Sequence, residues 1–265
     1  MRRLTLFLAF LLMPVLSVPA QAARNDDWEP ELLVAHVHVL LCDNDHQGIV
    51  PVPTALGNGT DPGRNLYWGA LYGVKAFFTQ SGNWTLLSCG AGPRDEILER
   101  CVFEHRSGDA VMVADAWRGD AGQAFLDAWT KGAAGLVNQT LALEDGRLVG
   151  LEGSADLLAW VGHNLLMDGL RPVPAENTDG RMRQTIILGC AAKSWFGPLL
   201  TRAKANPLLW TTGLMAPEAY TLEAALNAWA KAEPATEIAL RAARIYASYQ
   251  KCRVAAARKL LVTGW

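Results

Sequence analysis

His163 and Cys190 are the side chains in this sequence whose types and placing best suit covalent chemistry. Each ends an apolar run: "DLLAWVGHN" (156–164) closes on the histidine and "QTIILGC" (184–190) on the cysteine. A cysteine attacks as its thiolate, which a neighbouring imidazole can generate or stabilise. The imidazole can then hand the proton to a leaving group. Backbone N–H groups just past the strand ends can bind an oxyanion. The pair points to acyl transfer.

Other residues invite chemistry with weaker support. "HVH" puts His36 and His38 two apart on a strand, hence on one face. Metal-dependent hydrolases of the amidohydrolase type begin with such a pair. They need further ligands at other strand ends, and only His46, His105 and His163 remain. The pair is therefore expected to be core histidines with satisfied hydrogen bonds. No metal ligand is assigned and no cofactor is expected. "SCGAG" (88–92) sets Cys89 at another strand end but lacks the first glycine of a G-x-C-x-G elbow, so a disulfide suits it better. The five cysteines leave at least one thiol unpaired in a monomer. Cys89 and Cys101 are spaced to close a small loop and Cys42 with Cys252 is a second option, but spacing does not fix connectivity. None stands in C-x-x-C spacing, which argues against a thioredoxin-type site or a zinc ribbon.

Strands and helices must hold these residues in place. "LLVAHVHVLLC" (32–42) is apolar at nearly every position, as a strand buried on both faces is. A loop rich in Gly, Pro, Asn and Asp follows. "NLYWGALYGVKAFFTQ" has helical spacing with Asn65 as its N-cap. "WTLLSC" reads as a strand, and "RCVFEHRSGDAVMVADAW" as two strands around "SGD". "DAGQAFLDAWTKGAAG", "KSWFGPLLTRAKA" and "APEAYTLEAALNAWAKA" read as helices, and "PLLWTTG" as a short strand. A last helix spans about 234–262, with Ile238, Ala242, Ile245, Tyr246, Tyr249 and Cys252 on its apolar face. Its cations Arg241, Arg244, Lys251, Arg253, Arg258 and Lys259 form a solvated face. Strands alternating with helices predict an α/β fold with a mostly parallel sheet flanked by helices. Residues 23–265 are expected to form one domain.

In open parallel sheets, sites form beyond the carboxyl ends of the strands. An apolar strand ending in Gly-His ("WVGHN"), then one ending in a small residue and Cys ("ILGCA"), resembles the caspase-like cysteine peptidases. That superfamily includes caspases, metacaspases, legumains, separases and the gingipain and clostripain types, and the resemblance covers roughly residues 32–231. It implies a caspase-like fold and a cysteine peptidase or related acyl-transfer hydrolase. Cys190 would be the nucleophile, His163 the general base and acid, and the backbone N–H groups of Asn164 and Cys190 the oxyanion donors. Asp43 and Asn44, just after the first strand, would line the pocket for the substrate side chain, with Asp115 and Asp168 as further acidic candidates there. The substrate would be a peptide or protein. The family usually has glycine where Asn164 stands, and often a helix where "RPVPAENTDG" connects the two strands. These departures leave open a non-catalytic caspase-like binding or structural protein. A metal-dependent hydrolase is a second alternative.

Composition narrows the classes further. The chain has 265 residues and a net charge of −2, which argues against a polybasic nucleic-acid binder. Apolar residues make up 51%, enough for a sizeable core. "MRR", the apolar "LTLFLAFLLMPVLSV" and the small residues Ala20 and Ala22 predict a signal peptide over residues 1–22. The expectation is an exported protein, periplasmic or secreted, with no stable membrane insertion after cleavage.

Overall fold

The computed structural model describes residues 32–265. The expected signal segment, residues 1–22, lies outside them. The described chain is α/β, with a large, mostly parallel mixed sheet flanked by helices. Its strands and helices run β1 (Leu33–Leu40), α1 (Val74–Thr79), β2 (Trp84–Arg94), β3 (Ile97–His105), β4 (Ala110–Trp117) and α2 (Gly122–Ala133). Then come β5 (Asn138–Ala142), β6 (Leu148–Glu152), β7 (Leu157–Val161), β8 (Gln184–Leu188), α3 (Ala192–Ala203) and β9 (Asn206–Thr211). The chain ends with α4 (Ala219–Trp229), α5 (Ala235–Tyr249), α6 (Val254–Leu260) and β10 (Leu261–Val262).

Eight strands form one sheet in the order β10-β9-β8-β7-β1-β4-β3-β2. The five inner strands β9, β8, β7, β1 and β4 are parallel, and β10, β3 and β2 are antiparallel to their neighbours. Parallel strands covered on both faces read as continuous apolar runs, and β4 and β7 are buried at every position. Alternating side chains of β1 feed two cores. Ala35, Val37 and Val39 face α1, α4 and α5, while Leu40 packs with Trp117, Trp129, Trp160 and Phe196 under α2 and α3. A two-stranded ribbon, β5 with β6, covers Val34, Val111 and Val113 beside α2.

Three local readings give way, and one element is new. The expected helix from Asn65 is a series of turns that reaches helical form only at Val74. A side chain at Gly69 or Gly73 would strike backbone, so the chain is folded too tightly there for a regular helix. Asn65 is used across the chain: it accepts the Cys42 N–H at 3.0 Å and donates to the Cys42 carbonyl at 2.8 Å. The last helix is not continuous to 262. It stops at Tyr249, turns through Lys251 at φ +52°, and restarts at Val254. Leu261 and Val262 then pair with Thr211 and Trp210, covering the open edge of β9. The β5–β6 ribbon has no counterpart in the sequence reading. Finally, Cys42 and Cys252 do not pair: Cys42 is buried and Cys252 exposed, and both are free thiols. Cys89 and Cys101 are disulfide-bonded across β2 and β3. This bond is compatible with export. No helix among the described residues is long and apolar enough to cross a membrane.

Candidate active site

The carboxyl ends of β7 and β8 are in step. Val161 and Leu188 are register partners, and the Gly162 N–H donates to the Leu188 carbonyl at 3.1 Å. His163 and Cys190 each follow two residues later, so adjacent parallel strands deliver them to one rim. Two glycines make this close approach possible. Gly162 has φ +136°, and a side chain there would come within 2.8 Å of the Leu40 carbonyl oxygen. A Cβ on Gly189 would lie 3.0 Å from the Gly162 carbonyl oxygen.

His163 is nearly buried, and its Nε2 is 2.8 Å from Asp168 Oδ2. A carboxylate accepts, so neutral His163 carries its proton on Nε2 and leaves Nδ1 as the basic nitrogen. The same Asp168 oxygen accepts the Gly48 N–H at 3.0 Å, which ties the histidine to the loop after β1. Asp168 thus meets His163. The five-residue interval between them was legible, but the turn that folds it back was not.

Cys190 is partly exposed. The Met215 N–H donates to its Sγ at 3.5 Å. The next residue, Ala191, adopts the left-handed conformation at φ +50° and starts α3. A residue with a Cβ pays about 1–2 kcal/mol to sit there, so the surroundings must hold it. Ala191 N–H donates to the Gly213 carbonyl at 2.8 Å, and Ala192 N–H to Thr211 Oγ1 at 3.0 Å. The thiol therefore stands on a sharp strand-to-helix turn anchored from β9 and its following loop.

Asn164 is fully buried beside it. Its Nδ2 donates to the Cys190 carbonyl at 2.7 Å, and its Oδ1 accepts the Leu166 N–H at 3.1 Å. The backbone N–H groups of Asn164 and Cys190 have no acceptor among the described residues.

Asp43 and Asn44 lie in the loop after β1, with their side chains engaged inside that loop. Asp43 Oδ1 accepts the N–H groups of Asp45 (2.9 Å) and His46 (3.1 Å), and its Oδ2 meets His46 Nδ1 at 3.0 Å. Asn44 spans the loop through both the N–H and the carbonyl of Val52. Asp115 is buried within the sheet, paired with Arg100 and His36. Burial opposes its ionisation, but the Arg100 and His36 hydrogen bonds outweigh burial and hold its carboxyl below the usual range.

His36 and His38 are buried between β1 and the β5–β6 ribbon, with Glu152 beside them. His36 is satisfied, but His38 Nδ1 has no partner. Glu152 escaped the sequence reading, which left its segment unassigned.

No family model, no curated protein and no solved structure matches this chain.

Proposed function

We propose that this protein is a cysteine peptidase or related acyl-transfer hydrolase of caspase-like type, with peptides or proteins as substrates. The observation that carries the reading is the delivery of His163 and Cys190 to one rim by neighbouring, register-matched parallel strands. The order supports it too: the histidine strand precedes and adjoins the cysteine strand, as the caspase-like resemblance implies. The free state of Cys190 is a further support, since a disulfide there would remove the nucleophile.

Each group has a step to perform. The Cys190 thiol gives its proton to His163 Nδ1, and the sulfur attacks the substrate carbonyl carbon. The carbonyl oxygen gains the negative charge and accepts the N–H groups of Asn164 and Cys190. His163 then protonates the leaving amine as the C–N bond breaks, which leaves a thioester on Cys190. Water, deprotonated by His163, attacks the thioester and releases the acid and the thiol. Asp168 holds the ring so that Nδ1 is the nitrogen that accepts protons, and it stabilises the imidazolium.

The test is covalent labelling with acyloxymethyl ketone or epoxide probes. Cys190→Ala should abolish labelling, and His163→Ala should slow it by about 100- to 10,000-fold. Labelling that persists in Cys190→Ala, or a folded wild type inert to a broad probe panel, favours the non-catalytic reading.

A further inference from the structure

We infer that His36, His38 and Glu152 form a buried binding site for one divalent cation of the zinc class, which pins the β5–β6 ribbon to the sheet. This site does not depend on the chemistry proposed for Cys190. One ligand atom from each of the three residues lies within 4.8 Å of the others. His38 Nε2 is 3.1 Å from His36 Nδ1 and 3.6 Å from Glu152 Oε2. Ligands at about 2.0–2.1 Å from a tetrahedral ion sit about 3.3 Å apart, so both separations match neighbouring corners of one coordination shell. The 3.6 Å contact is too long for a hydrogen bond.

The site contains buried polar atoms that the protein leaves unpaired. Glu152 is 4% exposed, and its Oε2 has no hydrogen-bond partner. His38 is completely buried, and its Nδ1 has no hydrogen-bond partner. A buried polar oxygen without a partner is unfavourable, and a cation would offset that cost. Glu152 is held there by its backbone, at φ +55°, while its carboxylate packs against Gly132 of α2.

The outer groups suit a metal as well. His36 Nε2 donates to Asp115 Oδ2 at 3.0 Å, which fixes the tautomer with its lone pair on Nδ1. Arg100 grips Asp115 with two bonds of 2.6 Å. A carboxylate behind a ligating histidine is the arrangement that orients metal-bound imidazoles. His36 Nδ1 now faces two hydrogen-bond partners, the Glu152 N–H at 3.1 Å and His38 Nε2 at 3.1 Å, and the ion would take that lone pair in their place. Three protein ligands are one short of a tetrahedral shell, whose fourth ligand would be water.

The experiment uses the mature chain with its disulfide intact. After chelation and buffer exchange, zinc or cobalt(II) is added, and bound metal, melting temperature and the cobalt spectrum are read. The expected result is one tightly held ion per chain, a higher melting temperature, and tetrahedral cobalt bands without a thiolate charge-transfer band. The bands should persist in Cys190→Ala, which separates this site from the rim. Glu152→Gln and His38→Ala should lose the ion. If either variant does not fold, the wild-type stoichiometry and the cobalt spectrum decide. Absence of stoichiometric metal in the wild type, a thiolate band, or full binding in folded Glu152→Gln overturns the site.

Discussion

Asn164 and Cys190 are bonded across the rim, with Asn164 Nδ2 donating to the Cys190 carbonyl at 2.7 Å. This is the position where the caspase-like pattern usually has glycine. The asparagine therefore has a structural task that glycine cannot perform: it couples the histidine turn to the cysteine turn. Its amide oxygen also caps the turn that returns Asp168 toward His163. Asn164→Ala should leave the Cys190 carbonyl and the Leu166 N–H unpaired. Denaturant unfolding should show a loss of about 1–3 kcal/mol, the usual cost of stranding buried polar groups. Asn164→Gly should lose at least as much, because it removes the same amide. A change within about 0.5 kcal/mol would mean the bond adds nothing.

Asp168→Asn should slow probe labelling while leaving Cys190 in place. The amide can hold the Gly48 N–H through its oxygen, but it cannot stabilise an imidazolium as a carboxylate does. The loss should be a fraction of the roughly 100- to 10,000-fold assigned to the base itself. It should appear as a slower labelling rate with the fold intact, because the imidazolium formed in the step loses its anion. An unchanged labelling rate would reduce Asp168 to a loop tether.

The five inner strands were readable because burial on both faces leaves strongly apolar runs such as "LLAWV" and "VMVADAW", the latter broken only by Asp115. The rim was readable for the same reason, since a polar side chain that ends such a run is conspicuous. What sequence hid is set by distant partners. Asn65 looks like a helix cap, yet its amide binds Cys42, which is 23 positions away. Leu261 and Val262 look like the end of a helix, yet the free edge of β9 draws them into a strand. Glu152 sits in the short "LVGLE" run and gains its meaning only when β6 lies over His36.

The Cys89–Cys101 disulfide should stabilise the edge of the sheet. The cysteines are register partners on β2 and β3, separated by 12 positions. Closing a loop of that size is worth about 3 kcal/mol in the chain-entropy account. Reduction, or replacing both cysteines by alanine, should lower unfolding stability by up to that amount. The double variant should be insensitive to reductant. A wild type equally stable with and without reductant would contradict this account.

Alkaline pH should weaken the fold through Cys42. Burial pushes its thiol from an ordinary 9.0 to about 11, with the neighbouring Tyr67 hydroxyl pulling slightly the other way. Below pH 9 both folded and unfolded chains keep the proton, and the full contribution to stability is present. Between about 9 and 11 the unfolded chain releases its proton while the folded chain retains it. The unfolded state then binds fewer protons, so stability must fall as pH rises. Chemical denaturation at intervals from pH 8 to 11 measures the slope. Cys42→Ala should start from lower stability, because it removes a buried sulfur, but its slope above pH 9 should be shallower. A remainder should persist at the upper end, since burial raises Tyr67 in the same direction. Identical slopes in wild type and Cys42→Ala would place the alkaline sensitivity elsewhere.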